Sequence, residues 1–71
     1  MRSETTFNAW FEHAKHTQQV IMVAVASGDE TAAWQYTLKE YQLWNACLAD
    51  GWTQGDGLQA LKEYSHAHPD R

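Results

Sequence analysis

The chain has 71 residues and a formal net charge of −4, which is enough polypeptide for one small domain and no more. Its five basic residues are scattered singly, so no basic stripe could follow a phosphate backbone, and direct nucleic-acid binding is not expected. The nine acids are scattered too, and fall short of the dense carboxylate rows of a DNA mimic. The longest apolar run, residues 20–26, is too short to cross a bilayer, and no signal peptide precedes it. We therefore expect a cytoplasmic protein that does not contact a membrane.

A chain of this size is marginal, because it buries only about 60% of its unfolded surface and usually needs a disulfide, a metal or association. Cys47 is the only cysteine, so no internal disulfide can form, which fits a reducing compartment. Four tryptophans, three tyrosines and two phenylalanines supply large apolar side chains instead. We expect these aromatic residues to supply much of the core, with self-association as the other route to stability.

The first predicted helix spans about residues 6–26. Thr5 or Thr6 could cap it by accepting a hydrogen bond from an amide of the first turn. Apolar side chains then recur at helical spacing along its length. Taken alone, the run 20–26 could be a buried strand, since valine and isoleucine favour sheets. No second β-rich run exists to pair with it, so a helix is the better interpretation.

The second predicted helix spans about residues 30–50. Gly28 suits the left-handed residue that ends a helix, Asp29 can cap the next helix, and Gly51 can close it. A connection this short makes the first two helices antiparallel neighbours. Five large apolar residues of the second helix share one face, which is predicted to pack on the first helix and dominate the core. They are Trp34, Leu38, Tyr41, Trp44 and Leu48.

The third predicted helix is short, about residues 57–67. Two overlapping capping boxes compete for its start, Asp56 with Gln59 and Thr53 with Asp56. Residues 1–71 are therefore predicted to form a single all-α domain. Its architecture is an antiparallel helical hairpin plus a short third helix, a small three-helix bundle that could dimerise.

Each long helix carries more apolar surface than a hairpin can bury. A second apolar face lies opposite the first, and a third helix of about three turns could cover only one of them. The surplus is expected to pack on a second copy or on a larger protein partner, and the alternative is a monomer with ordinary surface hydrophobics. Trp52, in a glycine-rich loop, would be either a lid over the bundle or an anchor in a partner's pocket. The predicted partner-binding residues are Trp10, Val20, Val23, Tyr36, Leu43, Trp52 and Tyr64.

Nothing in the chain predicts catalysis, a bound metal or a cofactor, and we expect a protein that is not an enzyme. His13 and His16 are three residues apart, and His66 and His68 lie near the C-terminus, but the pattern of a catalytic zinc site is absent. Cys47 falls near the C-terminal end of a helix, where the dipole opposes a thiolate, so inert packing is expected. The carboxylates are explained by caps and turns.

The leading interpretation is a non-enzymatic protein-binding module that acts by occlusion or bridging of a larger partner. Its size, mild acidity and aromatic content are general traits of small accessory proteins, including those of phages and mobile elements that block a host machine. An alternative is an acidic inhibitor that competes for the basic groove of a nucleic-acid-processing enzyme. Its contacts would be Glu12, Asp29, Glu30, Glu40, Asp50 and Asp56. A third interpretation is a module that needs a metal held by the histidines.

Overall fold

The computed structural model describes residues 2–67, and every regular element within that range is an α-helix. The helices are α1 Glu4–Ala14, α2 Thr17–Ala26, α3 Glu30–Ala49 and α4 Gln54–Ala67. The all-α prediction is therefore confirmed, and the ambiguous run 20–26 is helical. The hairpin and the additional third helix are confirmed as well, with α1 and α2 forming two halves of one bent helix.

The first predicted helix is bent at Lys15 and His16, where α1 ends and α2 begins. The carbonyl of His13 accepts hydrogen bonds from two side-chain hydroxyls, that of Thr17 at 3.2 Å and that of Tyr36 at 2.9 Å. The His16 amide donates to the same carbonyl at 3.2 Å, a three-residue step that tightens the turn. Hydroxyls that enter the backbone ladder in this way bend helices, because they compete with the regular amide donors.

The turns at both ends of α3 follow the predicted local chemistry. Asp29 caps the helix by accepting a hydrogen bond from the amide of Ala32 at 3.0 Å. Gly28 and Gly51 take positive φ angles of 77° and 101°, which a residue with a Cβ atom rarely adopts. The short turn before Asp29 makes α2 and α3 antiparallel neighbours, as predicted.

Two helices begin earlier than predicted. Ser3 caps α1 in place of Thr5 or Thr6, because its hydroxyl lies over the first turn and accepts from the amide of Thr6 at 3.5 Å. At the start of α4, the Asp56 carboxylate accepts from the Thr53 amide at 2.9 Å. The Thr53 hydroxyl accepts in return from the Asp56 amide at 3.2 Å. The capping box is therefore Thr53 with Asp56, and Asp56 is not itself the N-cap residue.

Helix α3 is rotated about its axis relative to the prediction. Four of the five expected core residues stay exposed, with exposed fractions of 65% for Trp34, 51% for Leu38, 64% for Tyr41 and 44% for Leu48. Tyr36, Leu43 and Cys47 lie on the inward face instead, and Cys47 is fully buried. The prediction was wrong because helical spacing shows which side chains share a face, but not which face a neighbour takes. The small side chains of Ala24 and Cys47 allow a close approach between helices that tryptophan would prevent.

The core lies at one end of the molecule, where α1 meets α4 and the last turns of α3. We call its six members the aromatic cluster: Phe7, Trp10, Phe11, Trp44, Trp52 and Tyr64. Trp10 is 5% exposed, and its ring centroid lies 4.7 Å from that of Trp44 and 5.4 Å from that of Phe7. Tilted ring contacts of this kind add to the stabilisation from buried area. The aromatic residues therefore supply the core, as their number predicted, but only at this end.

Candidate functional site

An open groove lies between the hairpin of α2 and α3 on one side and helix α4 on the other. It encloses about 530 Å³, within the range of ligand and peptide clefts. Most of its lining is apolar, and Glu40 is the one charged residue in it among the residues that the structure describes. The groove is lined chiefly by Trp10, Ile21, Glu40, Tyr41, Trp44, Gly57, Leu58 and Leu61.

The groove exists because α4 packs along α1 and leaves the hairpin uncovered. Within residues 2–67, the backbone of α4 comes close to that of α1 and of no other helix. Tyr64 meets Phe11 edge-on, with ring centroids 6.1 Å apart, and Gly57 lies against the rings of Trp10 and Trp44. A Cβ atom at Gly57 would lie 2.9 Å from Cη2 of Trp44, so only glycine permits this approach without a shift of the ring.

Large apolar side chains stand exposed along both sides of the groove. Leu58 on α4 is 68% exposed, and Tyr41 faces it from α3 with most of its ring in solvent. Trp34 lies two turns before Tyr41 on the same side of α3, and Val25 lies one turn after Ile21 on α2. The apolar rim therefore continues along the hairpin beyond the groove. Contiguous exposed apolar surface of this kind marks interaction sites in small proteins.

The exposed surface is larger than a compact domain of this size requires. It measures 5289 Å², whereas a folded monomer of 8.1 kDa is expected to expose about 4,500 Å². The radius of gyration is 13.2 Å, against about 11 Å for a compact chain of this length, which reflects the same open packing.

Glu40 places a carboxylate in the wall of the groove. Its Oε1 atom accepts a hydrogen bond from the hydroxyl of Thr17, whose single proton is shared with the His13 carbonyl. The ring of His13 stacks on Tyr36 with centroids 3.8 Å apart, and its Nδ1 atom lies 3.7 Å from Oε1, beyond hydrogen-bond reach. Burial, and then the charge of Glu40, raise the pKa of the Tyr36 hydroxyl. That hydroxyl therefore stays protonated and donates to the His13 carbonyl.

Several residues predicted to bind a partner are buried or half-buried in the structure. Trp10 is at the centre of the aromatic cluster, so it is not a free surface anchor. Tyr36 and Leu43 are half-buried because the rotation of α3 turns them toward α1 and α2. Tyr64 is also half-buried, since it holds α4 against α1. The residues predicted for the core and those predicted for the surface have largely exchanged places on α3.

Trp52 folds back as a lid over the aromatic cluster, the first of its two predicted alternatives. Its indole N–H donates to the Ser3 carbonyl at 3.2 Å, and its ring centroid lies 4.3 Å from that of Phe7. The guanidinium of Arg2 covers the outer face of the indole at 4.6 Å. The donor of Trp52 is therefore satisfied, and its half-buried ring contacts Phe7 and Arg2 within the molecule.

Val20 and Val23 lie on a side of α2 that is turned away from the groove. Val23 is 59% exposed and Val20 is half-buried, and both border a second pocket of about 570 Å³ beside His16 and Asp29. Val23 is the one predicted partner-binding residue that the structure leaves mainly in solvent within residues 2–67. No large aromatic side chain lines this second pocket, so it offers less apolar surface than the groove.

The six predicted acidic contacts do not form one free acidic surface. Five are engaged by donors of the chain itself: Glu12 by Lys15, Asp29 by the Ala32 amide, Glu40 by the Thr17 hydroxyl, Asp50 by the Ser3 amide, and Asp56 by Thr53 and Arg2. Glu30 is exposed in the first turn of α3, and Glu40 is in the groove. A surface that competes for a basic groove needs carboxylates that are free and adjacent.

The described residues offer no cluster for metal chemistry. Within residues 2–67, no three side chains of histidine, cysteine, aspartate or glutamate are placed to hold a metal ion. His68 lies outside the described residues. Cys47 is fully buried, and burial together with the charge of Asp50 raises the pKa of its thiol, which opposes formation of a thiolate. In the same range, no helix is both long enough and apolar enough to cross a membrane.

The groove was not predicted from the sequence, because both of its sides were predicted to have other roles. Tyr41, which lines the groove, is predicted to lie in the core, and the third helix is predicted only as a short helix that adds to the bundle. One available signal was Gly57, since a glycine inside a helix weakens that helix and often marks a close approach. The side chains that lie against Gly57 could not be identified without the packing of α1 and α3.

Searches against protein-family models, curated proteins and solved structures found no match to this chain. Function is therefore argued from the geometry and chemistry of the groove.

Proposed function

We propose that the protein is a non-enzymatic protein-binding module whose groove receives a helical segment of a larger partner. The observation that carries this proposal is the uncovered groove, with exposed Tyr41 and Leu58 on its sides and Trp44 in its lining. A helix that lays its apolar face into a hydrophobic groove is a common mode of protein recognition. Aromatic side chains at the centre of such an interface provide much of the binding energy.

The packing of α4 makes a helix the best-fitting occupant. The hairpin and α4 form the sides of an incomplete bundle, and a further helix between them would cover the apolar side chains that α4 leaves exposed. Binding would act by occlusion of the partner's helix or by bridging it to other proteins, and it requires no catalytic group in this chain.

Two matched variants test the proposal by affinity capture. Tyr41→Asp places a charge on the side of the groove, whereas Val23→Asp places the same charge on a comparably exposed residue outside it. We expect the wild type and Val23→Asp to retain the same partner, and Tyr41→Asp to lose it. A photo-crosslinker at position 58 should then react with a helical segment of that partner. Retention of the partner by Tyr41→Asp at wild-type levels would place its binding elsewhere.

A further inference from the structure

We infer that the helix received by the groove carries a lysine or arginine within its apolar face, and that this cation pairs with Glu40. The inference rests on the proposed function, because it specifies the chemistry of the occupant. It starts from the position of one charge: within residues 2–67, Glu40 is the only charged residue that lines the groove, and its side chain is still 30% exposed. A docked helix would remove the remaining water from this carboxylate.

Desolvation of a carboxylate is costly unless a hydrogen-bond donor replaces the lost water. Thr17 supplies one donor, and it donates to Oε1. Within residues 2–67, no donor reaches Oε2 of Glu40. An occupant with only apolar side chains would leave that oxygen buried and unsatisfied. A charged donor forms the strongest hydrogen bond to a carboxylate. Lysine or arginine is therefore the residue that best replaces the water that docking removes from Oε2.

The histidine beside Glu40 does not remove this requirement. His13 approaches Oε1, the atom already used by Thr17, and the distance of 3.7 Å is too long for a hydrogen bond. Both ring nitrogens of His13 are buried and have no hydrogen-bond partner among the described residues. The stacking contact with Tyr36 holds the ring parallel to the phenol. Oε2 is therefore left for the occupant.

A second copy of the chain fits the groove less well than a basic helix. Face-to-face pairing would bring two Glu40 carboxylates into the same apolar interface, and each copy carries a formal charge of −4. Arg2 and Lys15 are already paired with Asp56 and Glu12 at 3.0 Å, which leaves Lys39 and Lys62 as the described cations that a second copy could offer. Charge complementarity therefore favours a different, cationic partner.

The test uses synthetic amphipathic helices of about five turns that differ only at the central residue of the apolar face. That residue is Arg, Met or Glu, and binding to the full chain is followed by tryptophan fluorescence, since Trp44 lies in the groove. We expect the Arg peptide to bind wild type at least about tenfold more tightly than the Glu peptide. Glu40→Gln should bring the affinities close together, and Glu40→Lys should reverse their order. Glutamine keeps an acceptor for Thr17, and circular dichroism checks that each variant remains folded.

The outcomes separate the inference from the proposed function. Equal affinity of the three peptides for wild type would overturn the pairing with Glu40, but would leave docking in the groove intact. Absence of binding by every peptide would overturn both. Sedimentation of the chain alone provides a third test. If the chain is a dimer and Tyr41→Asp dissociates it, the groove binds a second copy, and the inference of a cationic partner is overturned.

Discussion

The two ends of the molecule use the same residue types in opposite ways. At the closed end, Trp10 is 5% exposed, and Phe7, Phe11 and Trp44 surround it. At the open end, the α2–α3 hairpin carries Trp34 with most of its ring in solvent, although the indole is chemically identical. The closed end has a third helix packed along it, whereas the open end does not.

The comparison shows that the position of α4, rather than the number of apolar residues, decides where the core forms. Because α4 follows α1, the closed end holds the fold together and the hairpin keeps surface for recognition. A binding surface that is not needed for folding can be altered without loss of the domain. We expect mutations at the two ends to separate stability from binding, and the effects below are ordered from the largest to the smallest.

The largest difference is expected between two tryptophan variants. Trp10→Ala should lower the free energy of unfolding by about 3–5 kcal/mol, because it opens a cavity in the aromatic cluster. Trp34→Ala should change that free energy by no more than about 0.5 kcal/mol, since an exposed side chain has little packing to lose. Urea titration followed by far-ultraviolet circular dichroism measures both. Trp10→Phe provides a milder variant if the alanine protein does not fold, and equal effects at positions 10 and 34 would contradict the division between the two ends.

A smaller effect is expected from two glycine-to-alanine variants of α4. At Gly57 the new Cβ atom would lie 2.9 Å from Trp44 and 3.2 Å from Trp10, so overpacking should cost about 1–3 kcal/mol. At Gly55 the nearest atom is the Thr53 hydroxyl at 3.6 Å, which is ordinary contact. Gly55→Ala should therefore be neutral or stabilising, by up to about 1 kcal/mol from helix propensity. Thermal unfolding compares the pair, and a stabilising Gly57→Ala would mean that α4 does not press against the cluster.

Local chemistry in the sequence was enough to place the turns at the two ends of α3. Gly28, Asp29 and Gly51 act within a few residues of themselves, so their roles could be deduced without the rest of the fold. The bend after His13 could not be deduced, because one of its two hydroxyl donors, Tyr36, comes from another helix. The same limit applies to the start of α4, where two capping boxes were equally consistent with the sequence.

The candidate site was less predictable, because it depends on which faces meet. The apolar stripe through Trp34 and Tyr41 was correctly identified as one face, but its assignment to the core was wrong. Tyr36 and Leu43 were assigned to the surface by the same argument. A rotation of α3 by nearly half a turn, roughly 160°, exchanges the two sets without changing any helical spacing. Glu40 illustrates the point: it belongs to the groove only because α3 has this rotation.

The smallest effect, and the one that depends most on pH, is expected at the start of α4. Asp56 accepts hydrogen bonds from the amide and hydroxyl of Thr53 and pairs with Arg2, which lowers the pKa of its carboxyl, chiefly through Thr53. Because the pKa is lower in the folded chain, this stabilisation is present above the unfolded pKa, about 4, and is lost as the pH falls through the folded value. Asp56→Asn should therefore melt slightly below wild type at pH 7, and the difference should shrink when both are acidified below about pH 4.

Arg2→Met separates the two partners of Asp56. The substitution removes the cation but keeps both hydrogen bonds from Thr53 to Asp56. Most of the decrease in melting temperature at acidic pH should therefore remain. Melting temperatures of the wild type and the two variants, measured between neutral and acidic pH, decide between the partners. Arg2→Met could instead remove the pH dependence of the melting temperature as completely as Asp56→Asn. The Arg2–Asp56 ion pair, rather than the cap of α4, would then be the source of that pH dependence. That result would attach α4 to the N-terminal segment by charge, and the position of α4, which leaves the groove open, would then depend on ionic strength.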